Sequence, residues 1–173
     1  MRILNVDRNW IINWFKRPET IDQAKQENIH FISINGFSGA FEEENFDGTQ
    51  KSPIPQELID NGQALPLNFD DATEEDVKKL GIDFFLFTFG QARMIKEFIE
   101  QAIKDNVKTL IVHCSAGISR SSAVSITLNE FINQNNLEDF HINQAEGFLH
   151  PPVPNQRVRK VLKEVLDLNS KNS

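Results

Sequence analysis

An α/β fold, with one mostly parallel sheet of about four to five strands flanked by helices, is what this sequence predicts, on three observations. Short β-rich runs alternate with helical patterns, the order expected when crossover helices join parallel strands. The chain has 173 residues, enough for one hydrophobic core and too few for two substantial ones. Apolar residues make up 39% and charged residues 25%, with 14 Phe and a mean hydropathy of −0.39, a composition that excludes disordered, fibrous and membrane-embedded classes.

The strand candidates are RILNV (2–6), IHFISI (29–34), ALPLNF (64–69) and KTLIVH (108–113), each bounded by turn or polar residues. Trp10, Ile11, Trp14 and Phe15 recur at helical spacing and read as packing residues, not as a substrate platform. Helical patterns follow at ETIDQAKQEN (19–28), TEEDVKKL (73–80) and 89–104, where Ala92, Ile95, Phe98, Ile99, Ala102 and Ile103 form an apolar stripe. The segment 120–133 is apolar nearly all round and is therefore expected at the domain centre, behind a central strand. The last helix, QRVRKVLKEVLDL (156–168), is amphipathic, with Asn155 as its N-cap after the helix-excluding HPPVP. Between 35 and 55, three Gly and the Glu run at 42–44 mark a long loop, with the Glu run read as a solvated face. One domain over 1–168 with a polar tail at 169–173 is the expected organisation.

A formal charge of −7 and a pI near 5.1 speak against nucleic-acid or anionic-membrane partners held by a general field. The longest uncharged apolar stretch, FFLFTFG at 84–90, is far short of a membrane span, and no leader pattern opens the chain. A cytoplasmic monomer with a reduced thiol is the expectation. The single cysteine excludes an internal disulfide and any multi-cysteine metal site, and His30, His113, His141 and His150 lack paired ligand spacing. No metal or other cofactor is expected, and His141 and His150 read as surface or loop residues.

The cysteine lies in KTLIVHCSAGISRSSAVSITL, where a β-branched strand runs into Cys114, five loop residues and Arg120 at a helix entry. Such a loop aims successive backbone N–H groups inward beside the positive end of a helix, a cradle for a phosphate-like dianion. Ser115, Ala116, Gly117, Ile118 and Ser119 would supply those amides. Gly117 permits a turn that a Cβ resists, and Arg120 can bind two phosphate oxygens with its planar fork. The same groups favour the Cys114 thiolate over the thiol. His113 can fix the loop, and the Ser121 hydroxyl can reach the sulfur and ease its departure.

HCSAGISRS fills every fixed position of the pattern His-Cys, five residues, Arg, then Ser or Thr. It resembles the signature of the cysteine-dependent protein tyrosine phosphatases, and is most similar to the compact dual-specificity branch with its small microbial and viral relatives. LPLNFDD resembles that family's general-acid segment, the 89–104 helix occupies the usual place before the signature strand, and VPNQRVRKVL resembles the entry to its last helix. The resemblance implies attack of Cys114 on phosphorus, stabilisation by Arg120 and the loop amides, and protonation of the leaving group by a carboxylic acid. It also implies a phosphocysteine that water hydrolyses with help from Ser121.

For the acid, Asp71 is the first choice and Asp70 the second, because both end a strand. Asp83, 31 residues before Cys114, has the more usual spacing. Aspartates not so used read as N-caps ahead of TEED and of the next element. The loop lacks Lys, His or a second Arg, which speaks against polyphosphorylated lipids and inositols and leaves a phosphorylated protein or peptide as substrate. Phosphotyrosine alone or phosphoserine and phosphothreonine as well depends on the height of the 35–55 loop. A rhodanese-like or arsenate-reducing domain fits less well, since arsenate reduction recruits further thiols. A catalytically weak phosphopeptide-binding module is the alternative function.

Overall fold

The computed structural model describes residues 1–36, 51–81, 83–133, 140–142 and 152–168. The Glu run at 42–44, the tail at 169–173, His150 and the side chain of His141 lie outside the described residues, as does most of the 35–55 loop. Strands β1 (Arg2–Asp7), β2 (Ile29–Asn35), β3 (Ala64–Asn68), β4 (Thr109–Cys114) and β5 (Phe140–Ile142) form one sheet in the order β3-β2-β4-β1-β5. Every neighbouring pair is parallel.

Parallel neighbours need crossover connections, which put helices on both faces of the sheet. Those described are α1 (Arg8–Phe15), α2 (Thr20–Gln26), α3 (Gln56–Asp60), α4 (Glu74–Leu80), α5 (Phe89–Lys104), α6 (Arg120–Ile132) and α7 (Gln156–Val165). Side chains alternate between the faces of a strand, so β4 divides its residues between two cores. Leu110, Val112 and Cys114 join Ile95 and Ile99 of α5, Val124 and Leu128 of α6, and Leu162 of α7. Ile111 joins Phe31 of β2, Ile11 of α1, Ala24 of α2 and Leu58 of α3 on the other face. Trp14 packs its ring 5.6 Å from Phe31 and 5.9 Å from Trp10, which places the tryptophan pair in this second core.

The four expected strands are present with ends moved by at most one residue. Helix α1 carries the helical spacing of Trp10, Ile11, Trp14 and Phe15, and two elements, α3 and β5, were not expected. Helix α1 follows β1 without a connecting turn, because Asp7 ends the strand and also caps the helix, accepting from Trp10 N at 2.8 Å. Helix α3 has five residues and β5 three, too short for a periodic signal. The capping role expected of the aspartates is corrected: Thr73 caps α4 and Thr88 caps α5, each in a reciprocal capping box, with Asp76 and Gln91 respectively. Asp70 and Asp71 cap neither helix and are left for other work. No residue of α4 is buried, as befits a helix inserted into a surface connection. Among the described residues no helix is long and apolar enough to cross a membrane.

Candidate active site

Cys114 ends central strand β4, opposite Asp7 of β1, and residues 115–119 carry the chain from there into α6. This loop is turned inside out relative to ordinary backbone. Its carbonyls are tied to the surroundings: Ser115 O accepts from Arg8 N at 3.2 Å and Ile118 O from Val153 N at 3.1 Å, while Ser119 O accepts from Asn155 N at 3.3 Å. Gly117 O accepts from Asn5 Nδ2 at 2.7 Å and from Ser122 Oγ at 3.0 Å. Among the described residues, no amide from Ser115 to Ser119 donates a hydrogen bond. Five successive N–H groups without partners among the described residues are the donors that an anion cradle requires.

Gly117 makes the curvature possible. Its φ is +70°, and a Cβ there would meet Val6 C and Asp7 N at 3.0 Å, so both the torsion and the close approach require glycine. Helix α6 leaves its own first turn open as well. Ser119 stands at the N-cap, a position where serine usually bonds the helix amides, yet it makes no such bond. Its hydroxyl donates instead to Asp71 Oδ1 at 2.7 Å.

Cys114 is 3% exposed and accepts a hydrogen bond at Sγ from Ser121 Oγ, 3.1 Å away. Arg120 is buried, donating from Nη1 to Phe69 O at 2.9 Å and from Nη2 to Ser115 Oγ at 3.1 Å. Its Nε is buried with no partner among the described residues, a costly state for a cationic donor unless an anion completes it. The guanidinium fits because residue 36 is glycine; a Cβ there would lie 3.1 Å from Nη1.

His113, one residue from the nucleophile candidate, faces the other layer and is fully buried. Its Nε2 lies 2.8 Å from Ser33 Oγ, which in turn meets Ser52 Oγ at 2.8 Å and Asn35 Nδ2 at 3.3 Å. Burial pushes its pKa down to about 3, helped by the positive charges of Arg8 and Arg120 and opposed by the Cys114 backbone. The ring is therefore neutral in the folded protein across the working pH range.

An imidazole held neutral in the fold but free to charge when unfolded destabilises the fold as pH drops below about 6.5, until the folded group titrates too. From pH 7 to pH 5 this single group removes about 2 kcal/mol of stability. Urea unfolding at both pH values should show that loss reduced by about this much in His113→Asn. Equal losses in the two proteins would dismiss the assignment.

The three candidate acids have different surroundings. Asp71 is exposed, and its Oδ1 accepts from both Ser119 Oγ and Asn155 Nδ2, the latter at 2.9 Å, so it stands at the rim of the loop. Asp70 is turned to the segment after α4, taking Phe85 N on Oδ2 at 2.9 Å and donating its own amide to Phe85 O at 2.8 Å. Asp83 is exposed on that same segment. Asn5, Gly36 and Asn155, which shape the site, were not singled out by the sequence as site residues. Asn5 left one usable sign, a lone carboxamide in an otherwise apolar strand start, and it is fully buried.

Among the described residues, no three His, Cys, Asp or Glu side chains gather to hold a metal ion. No family model and no curated protein sequence matches the chain. Among solved structures it is similar to the Cydia pomonella PTP-2 phosphatase, at 17% identity over 86% of this chain and 80% of that one, with a TM-score of 0.45.

Proposed function

We propose that this protein is a phosphatase that hydrolyses phosphomonoesters of proteins through a phosphocysteine intermediate. The observation that carries the reading is the cradle itself. Cys114 opens a loop of five amides that donate to no described residue, the loop leads into a helix start that Ser119 does not cap, and Arg120 is buried with no partner for Nε among the described residues.

In this reading Cys114 Sγ attacks phosphorus while the amides of Ser115, Ala116, Gly117, Ile118 and Ser119, together with Arg120, hold the equatorial oxygens. The Sγ–P bond forms as the P–O ester bond breaks. The electron pair of that bond stays on the leaving oxygen, which takes a proton from the Asp71 carboxyl. Water then attacks the phosphocysteine, Asp71 takes its proton, and the Ser121 hydroxyl donates to the departing sulfur. His113 serves as a neutral support beneath the loop, its ring anchored to Ser33. Neither step draws on a metal or another cofactor. Phosphotyrosine is the leading substrate group, with phosphoserine and phosphothreonine as further candidates, in a cytoplasmic monomer.

Purified protein with excess chelator should hydrolyse 4-nitrophenyl phosphate and release phosphate from phosphotyrosine peptides. Phosphoserine and phosphothreonine peptides assayed alongside measure the breadth of specificity. Binding of phosphopeptide without any release of phosphate would replace this reading with that of a binding module.

A further inference from the structure

We propose that Asn155 is a positioning residue for Asp71, its carboxamide fixing one carboxyl oxygen so that the other is aimed at the leaving group. The inference rests on the reading of Asp71 as the general acid.

Asn155 is buried and uses all its polar groups. Oδ1 caps α7 by accepting from Val158 N at 3.1 Å, the backbone N–H holds Ser119 O, and Nδ2 donates to Asp71 Oδ1. One residue thus joins the end of the phosphate cradle, the start of α7 and the acid. Capping alone does not require asparagine, since Ser, Thr or Asp accept a helix N–H equally well. The other side-chain caps among the described residues are Asp7, Thr73 and Thr88. What asparagine adds is a donor on the same side chain, and that donor goes to Asp71 Oδ1 at 2.9 Å and, more weakly, to Ala72 O at 3.5 Å, so it holds both the carboxyl and the backbone that follows it.

Both donors to Asp71, from Asn155 and from Ser119, reach Oδ1, and among the described residues none reaches Oδ2. Oδ1 is therefore the pivot, and Oδ2 is the oxygen left to carry the proton. Asp71 is exposed, so without these two bonds its carboxyl would sample several rotamers. Holding a reacting group within a fraction of an ångström is worth orders of magnitude in rate.

The test is Asn155→Ser, which keeps a capping hydroxyl and removes the amide donor. With phenyl phosphate, whose leaving group needs a proton, kcat/KM, which reports formation of the phosphocysteine and not its hydrolysis, should fall about 10-fold or more. With 4-nitrophenyl phosphate, whose leaving group departs readily as an anion, kcat/KM should hardly change. A merely structural role would lower both rates together, and that result overturns the proposal. Asn155→Thr should give the same split, which guards against misfolding of one variant. In an Asp71→Asn background, Asn155→Ser should have no further effect, and an additional fall overturns it. If Asp71→Asn itself shows no leaving-group split, both the acid assignment and this inference fail. If it shows the split and Asn155→Ser does not, the positioning role alone fails.

Discussion

On the proposed mechanism, Cys114→Ser should lower turnover of a phosphotyrosine peptide by about 10⁴-fold or more and leave the peptide bound. The substitution is nearly isosteric, and the cradle amides and Arg120 remain to hold the phosphoryl group. What is lost is the nucleophile, because a serine hydroxyl without an adjacent base is a poor one at neutral pH. The fold should survive, since Ser121 Oγ can still donate to an oxygen at position 114. Single-turnover kinetics and peptide affinity measured on the same preparation decide the matter. Turnover within tenfold of the parent would remove Cys114 from the mechanism.

Arg120→Lys lowers kcat/KM by about 10³-fold, although the charge is kept. Lysine has no planar fork, so it cannot span two phosphoryl oxygens, and it cannot also replace the two bonds to Phe69 O and Ser115 Oγ. In contrast to Cys114→Ser, this variant should also lose affinity for phosphate and vanadate, because the proposed role of Arg120 includes binding as well as chemistry. Competitive inhibition by inorganic phosphate separates the two variants. Unchanged inhibition in Arg120→Lys would show that the amides alone bind the anion.

Local information was enough to propose the cradle and to place the longest elements. Cys114 to Arg120 is one continuous run, so its residue types could be read together against the chemistry proposed for them. Helix α5 was legible to the residue, because its stripe of Ala92, Ile95, Ile99 and Ala102 is buried and Thr88 with Gln91 closes its start. Ile103, counted in the same stripe, is 47% exposed, since it lies on the flank of the buried face. Helix α6 was expected at the centre, but its buried polar residues Ser121, Ser122 and Asn129 answer to partners that hydropathy does not describe, Cys114, Asn5 with Gly117, and Asn133 respectively.

The unread parts of the site share one cause, sequence distance. Asn5 reaches Gly117 across 112 residues, and Asn155 reaches Asp71 across 84. The cap at Asn155 was visible because it is local; its second bond was not. Choosing among the aspartates met the same barrier. Spacing favoured Asp83 and strand position favoured the pair at 70 and 71, and only the fold brings Ser119 to Asp71 and Phe85 to Asp70.

Strand β4 has a further consequence for how the molecule comes together. Strands β1 and β2 share no ladder; each meets the other only through β4, which the chain delivers more than a hundred residues after β1 begins. Without that strand, the N-terminal strand and the β2–β3 pair share no ladder and are joined only by packing such as that of Trp14 on Phe31. The strand that pairs with both is the one that ends in Cys114. The sulfur of Cys114 is thus carried by the same strand that makes the sheet continuous, so its place depends on pairing on both sides, with β1 and with β2.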